Sequence, residues 1–240
     1  MSESLYIILL TLGAGFCMLL GGLFASVERI SPAWLDREFR HFMIAFGGGV
    51  MLGAVLEVLL PEGSARLGHP YLAVALFIAG GLLFFLLERT LGLRRREVPQ
   101  LTGMLLDYIP EAIALGGLVA SGSGLAPLLA LLIGLQNIPE GFNTYREINA
   151  LEGAKSRTTL QLMTALMFVG PLAGLLGYGL LGERTALLGA IMLIASGGIL
   201  YLIFQDIAPQ SRLRRHWAPP LGAVFGFGTT LVAQIILGHS

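Results

Sequence analysis

The sequence predicts an all-α membrane protein of eight spanning helices in an inverted-repeat bundle, and three observations predict it. Of the 240 residues, 55% are hydrophobic and 12% charged, about half the charged share of a soluble domain, and mean hydropathy is +0.78. Eight apolar stretches come close to the roughly 20 residues a spanning helix needs. They are 5–27, 41–62, 70–91, 101–120, 125–146, 158–181, 185–209 and 217–238. The basic residues also alternate from connection to connection, as they must when the chain crosses back and forth.

In chain order, the first stretch opens on Glu3 with no basic residue before it, so it reads as a retained helix and not a cleaved signal. Arg29, Arg37 and Arg40 follow it. The second stretch holds Gly47-Gly48-Gly49 and ends in Pro61-Glu62; the third is followed by Arg89 and Arg94–Arg96. Ser121–Gly124 joins the fourth stretch to the fifth, after which come Arg146, Lys155 and Arg157; the seventh is followed by Arg212, Arg214 and Arg215. These four connections hold 13 of the 15 basic residues, leaving only Arg66 and Arg184 for the other side. The bias predicts both termini outside and four cytoplasmic connections, in a prokaryotic inner or plasma membrane. With loops this short, residues 1–240 read as a single polytopic domain.

An internal echo runs through the chain. Gly49-Val50-Met51-Leu52, Glu57-Val58 and Pro61-Glu62 align without gaps to Gly197-Gly198-Ile199-Leu200, Gln205-Asp206 and Pro209-Gln210. The two stretches run in opposite directions by the topology above. Weak repeats in inverted orientation point to a transporter with its site near the midplane.

Composition narrows the chemistry. There is no GxxxxGK[ST] phosphate loop, so no nucleotide drives a motor, and nothing indicates a nucleic-acid partner. The single cysteine, Cys17, makes no intrachain disulfide and no thiolate cluster. His41, His69, His216 and His239 all fall at or beyond segment ends. No HExxH or GxSxG is present, so an enzyme is not expected.

What stands out is one phrase written twice. Asp107-Tyr108-Ile109-Pro110-Glu111-Ala112 lies in the fourth stretch and Gln136-Asn137-Ile138-Pro139-Glu140-Gly141 in the fifth. Residues four apart share a helix face. Asp107 stacks on Glu111, and Gln136 on Glu140, and antiparallel neighbours can turn both faces inward. Pro110 and Pro139 each remove an N–H, kink their helix, and free the carbonyl four residues back, on Leu106 and Leu135. Three carboxylates in a low-dielectric core require a bound cation or protons. The predicted metal ligands are Asp107, Glu111, Gln136 and Glu140. Asn137, Glu57, Asp206 and Asn143 are weaker candidates for the pathway. Two readings compete with metal binding: hydrogen bonding between protonated carboxyls, and a pure proton relay.

At these residues the sequence resembles the ZIP (Zrt/Irt-like) family of divalent-metal transporters, whose fourth and fifth helices carry phrases close to His-Asn-x-Pro-Glu-Gly. Phe46–Glu62 looks like the family's second helix and Ala195–Pro209 like its seventh. The resemblance implies import of a transition metal of the Zn, Mn, Fe or Cd type as cargo, with no other cofactor. It also implies a homodimer in the bilayer, and an elevator-like motion of helices 1, 4, 5 and 6 past a scaffold of 2, 3, 7 and 8. Three departures matter. Asp107 stands where the family has histidine, Tyr108 where it has asparagine, and Gly170 where a glutamate often precedes the sixth-helix proline, here Pro171. The last two remove most of a second metal position and leave Asn137 as its remnant, so one metal per pathway is expected. An oxygen-only ligand set suits Mn²⁺ or Fe²⁺ better than an imidazole site does, although zinc also binds carboxylates. The alternatives are a membrane-embedded metalloenzyme and a metal-binding relative that no longer transports.

Overall fold

The computed structural model describes residues 2–28, 30–91, 99–213 and 218–238, and these are helical with short connections and no strand. Eight helical elements follow in order: α1 (Glu3–Val27), α2 (Ala33–Leu67), α3 (Pro70–Leu91), α4 (Pro99–Ala120), α5 (Ala126–Asn149), α6 (Ser156–Leu181), α7 (Thr185–Ser211) and α8 (Leu221–Leu237). Six are long and apolar enough to cross a membrane. Of the other two, α5 is 24 residues long but carries the polar run from Gln136 to Asn143, and α8 is apolar over 17 residues. Arg29, Arg94–Arg96, Arg214, Arg215, His216 and His239, part of the charge and histidine argument above, lie outside the described residues.

The element count matches the expectation, and the boundaries differ where charge hides a helix from hydropathy. α2 begins at Ala33, not at 41, because Asp36, Arg37, Glu38 and Arg40 sit on helical turns ahead of its apolar part. α8 starts at Leu221, not at 217. The helical pattern runs on through Pro110 and Pro139. Departures from it come elsewhere. α6 breaks at Met167–Phe168, ahead of Pro171. α2 and α7 each contain one π-helical turn, at Val55–Leu59 and at Ile203–Ile207. Each is closed by the segment starting with Leu60-Pro61 or Ala208-Pro209. A proline cannot donate to the carbonyl four residues back, and a widened turn just before it accommodates the missing bond.

Helices pair through glycine. α1 lies along α5, α4 along α6, α2 along α8, and α3 along α7. A side chain on Gly141 would start against the Met18 carbonyl, one on Gly116 against the Gly174 carbonyl, one on Gly49 against the Ala223 carbonyl, and one on Gly197 against the Phe77 carbonyl. Backbone thus rests on backbone, the close approach that small residues permit in lipid. Wherever a described glycine is nearest to another helix's main chain, both helices belong to one of two sets: α1, α4, α5 and α6, or α2, α3, α7 and α8. Between the sets the nearest neighbours are side chains. A methyl on Gly47 of α2 would lie 3.1 Å from Pro139 Cγ of α5, and one on Gly117 of α4 would lie 2.6 Å from Leu188 Cδ1 of α7.

Candidate functional site

The site forms where α4 and α5 turn back on each other. Gly122 takes φ 67 in the connecting turn, a left-handed conformation that glycine adopts without strain. Arg66 of α2 donates to Ser121 Oγ at 2.9 Å and pins the turn. The two helices then present Asp107, Glu111, Gln136 and Glu140 to each other, all buried, with Glu140 the most exposed at 7%. Gln136 Nε2 donates to Glu111 Oε2 at 2.6 Å, joining the two copies of the phrase. The Tyr108 amide donates to Asp107 Oδ1 at 2.8 Å. Asp107, Glu111 and Glu140 are close enough to act on one another electrostatically. No basic side chain pairs with any of the three among the described residues.

Several oxygens here are buried with no N–H donor reaching them: Glu111 Oε1, Gln136 Oε1 and both Oε atoms of Glu140, whose carboxyl faces that of Asp107. Leaving a buried acceptor unpaired costs about 1–3 kcal/mol, and more when it is charged. Because a carboxylate is acceptor-only, the groups that would satisfy this set are a cation, protons or donor waters. The donor chemistry therefore fits an oxygen-seeking metal ion. As they stand, the side chains are not gathered into a metal-binding group. No three His, Cys, Asp or Glu among the described residues form one, and the Gln136 nitrogen, a donor, is the atom that faces Glu111.

A small, partly open cavity of about 30 Å³ adjoins the site at the end of the bundle where α4 begins and α7 finishes. Asp107 and Glu140 line its inner part, with Met51, Met104, Asp206 and Gln210 around it. Asp206, a weaker candidate from the sequence, is thus brought into line with the core residues. Its position in the π turn of α7 places it there. Glu57, half-buried in the matching π turn of α2, is not part of that lining.

The remaining candidates hold the fold as well as the site. Asn137 donates to the Ala14 carbonyl at 2.8 Å and ties α5 to α1, leaving its Oδ1 unpaired. Asn143 donates to the Pro139 carbonyl at 2.8 Å, and its Oδ1 is also buried and unpaired. Tyr108 turns away from the carboxylates: its hydroxyl donates to the Thr11 carbonyl at 3.0 Å and lies against Gly170. Thr144 went unnoticed in the sequence, although it is fully buried with an unpaired hydroxyl. Its place four residues after Glu140 was the available signal. No protein-family model and no curated protein matches this chain.

Proposed function

We propose that the chain carries a divalent cation across a membrane, toward the side that holds the basic connections, through the oxygen-only site of Asp107, Glu111, Gln136 and Glu140. The observation that carries this reading is the set of buried acceptor oxygens on Glu111, Gln136 and Glu140 that no N–H donor reaches, aligned across two antiparallel helices beside a small acid-lined cavity. A half-turn of the Gln136 amide, with no backbone change, brings its oxygen to the carboxylates. Buried carboxylates without basic partners are functional groups by default in a membrane interior.

The helix pairings support transport by relative motion of two bodies. Exchanging α1 with α6, α2 with α7, α3 with α8 and α4 with α5 turns the α1–α5 contact into α6–α4 and the α2–α8 contact into α7–α3. The π turns fall at equivalent places in the sequence echo, Val55 corresponding to Ile203 and Leu59 to Ile207. Such inverted halves are built to open alternately to the two sides. The backbone-on-backbone contacts within each set, and the side-chain contacts between sets, suit rigid groups that slide past each other. The site itself lies wholly in the α1, α4, α5 and α6 set.

The test is metal uptake into proteoliposomes made with the purified chain. Uptake is expected for Mn²⁺ and Fe²⁺ above protein-free vesicles and is expected to vanish in Glu111→Ala plus Glu140→Ala. Uptake unchanged in that double variant would sink the site assignment, and metal-dependent turnover of a lipid or peptide without ion flux would replace transport with catalysis.

A further inference from the structure

Below the metal-ligand residues on α5 lies a second group of oxygens that the proposed cargo does not use. Asn143 and Thr144 stand three and four residues past Glu140, so they flank it one helical turn further along. Both are buried, at 1% and 0% exposure; Asn143 Oδ1 and Thr144 Oγ1 lack partners, and the two Glu140 oxygens face the Asp107 carboxyl with no N–H donor reaching them. The Asn143 amide is oriented by its nitrogen, which is committed to the Pro139 carbonyl, so its oxygen is the end left open. Thr144 is unusual in this chain. Thr11, Thr90, Thr164, Thr229 and Thr230 each donate their hydroxyl to the carbonyl four residues back, the ordinary way a helix threonine is satisfied in an apolar setting. Thr144 forgoes that bond although it is more buried than most of them.

We propose that Glu140, Asn143 and Thr144 form a second cation station, and that its ligand is a monovalent alkali cation of the sodium class. One carboxylate with neutral amide and hydroxyl oxygens matches a single positive charge and a hard, oxygen-preferring ion; it offers nothing soft for a late transition metal. The charge count agrees and rests on the transport reading: a divalent cargo offsets two of the three carboxylates at Asp107, Glu111 and Glu140, and one monovalent ion offsets the third. Glu140 belongs to both groups, so the two ions share a ligand and each affects the affinity of the other. A proton on Glu140 would also offset the charge, but it would leave the Asn143 and Thr144 oxygens unpaired.

The experiment uses the full chain in detergent and follows its thermal transition while NaCl replaces choline chloride at constant ionic strength. A ligand that binds only the folded state raises the transition with concentration. The expected result is a saturable rise with Na⁺, smaller with K⁺, at fixed pH and without added divalent metal. Removing one oxygen in Thr144→Val or Asn143→Leu is expected to weaken the apparent Na⁺ affinity about tenfold or more, while Thr144→Ser keeps it. The readout is the shift within each variant, so a lower starting stability does not obscure it, and the Na⁺ titration of the unchanged chain stands if a variant fails to fold. Absence of any Na⁺ effect beyond choline, a shift that tracks pH and not Na⁺, or an undiminished shift in both oxygen-deleting variants would each overturn the station. A Na⁺ shift in a chain that fails to move divalent metal would leave the station standing and remove the transport reading.

Discussion

The phenol oxygen of Tyr108 on α4 occupies the space where a side chain on Gly170 of α6 would begin, and from there it donates to the Thr11 carbonyl of α1 at 3.0 Å. In the sequence, Tyr108 and Gly170 were two separate departures from the ZIP pattern. In the fold they are one feature, a tyrosine filling the hollow that a glycine leaves. Gly170→Ala is therefore expected to destabilise the chain by about 1–3 kcal/mol, the range for overpacking a filled interior. Combining it with Tyr108→Phe, which removes the nearest clashing atom but leaves the ring carbon Cζ at 2.6 Å, recovers part of that loss. A double-mutant cycle on thermal stability in detergent checks the coupling; strictly additive losses would mean the two residues do not share the space.

The two sets of helices make a second prediction. Gly116 and Gly197 meet carbonyls of neighbours in their own set, and Gly47 meets the ring of Pro139 across the sets. A carbonyl held in a helix cannot yield, whereas a side chain at 3.1 Å moves by a few tenths of an ångström. Gly116→Ala and Gly197→Ala should each cost about 1–3 kcal/mol or abolish folding. Gly47→Ala should cost less stability and, on the proposed transport reading, should slow flux, because it roughens the surface along which the sets would move. Yield and thermal transition measure the first effect, and initial uptake rate per folded protein measures the second.

These contrasts also mark what the sequence could reveal. Periodic apolar length was enough for the eight helical elements, because hydropathy acts locally and adds along the chain. The doubled Pro-Glu phrase was enough to bring Asp107, Glu111, Gln136 and Glu140 together, since i,i+4 spacing and a short turn leave one way to face them. Partner choice was not legible. Nothing local tells Asn137 to bond the Ala14 carbonyl, or Tyr108 to bury its hydroxyl at Gly170. Helix entry was also missed at Ala33, where Asp36 to Arg40 look like a loop by hydropathy and Asp36 is held by a tertiary ion pair to Arg146.

That pair carries a third prediction. Arg146 at the end of α5 forks onto Asp36 of α2, with Nη1–Oδ1 2.6 Å and Nη2–Oδ2 2.7 Å. Its Nη1 also lies 3.1 Å from Glu28 Oε1, and the guanidinium sits 5.4 Å from the centre of the Phe142 ring. Both side chains are about a quarter exposed, so solvent screening holds the contribution to roughly 1 kcal/mol. The clasp joins the two helix sets. Asp36→Asn is expected to lose about that much stability, to lose the salt sensitivity of the remainder, and to raise the uptake rate by freeing α5 from α2. Arg146→Lys keeps the charge without the fork and should fall between the two. A slower rate in Asp36→Asn would show that the clasp is structural support and not a brake.

The fourth prediction concerns which metal the proposed site would prefer. Asp107, Glu111, Gln136 and Glu140 offer carboxylate and amide oxygens only, and Asp107 also lines the small cavity beside the site. Oxygen ligands rank Mn²⁺ and Fe²⁺ more favourably against Zn²⁺ than an imidazole does. Asp107→His replaces a charged, hard ligand with a neutral one of intermediate softness at a single buried position. Competition among Mn²⁺, Fe²⁺, Zn²⁺, Cd²⁺ and Mg²⁺ in the same flux assay should then shift toward Zn²⁺ and Cd²⁺ by about tenfold, the value of one ligand contact near 1.4 kcal/mol. The change also removes one of three carboxylates, so total uptake is expected to fall even as preference moves. Comparing ratios between metals separates the two effects, and unchanged ratios at lower uptake would refute the argument from ligand hardness while leaving the site in place.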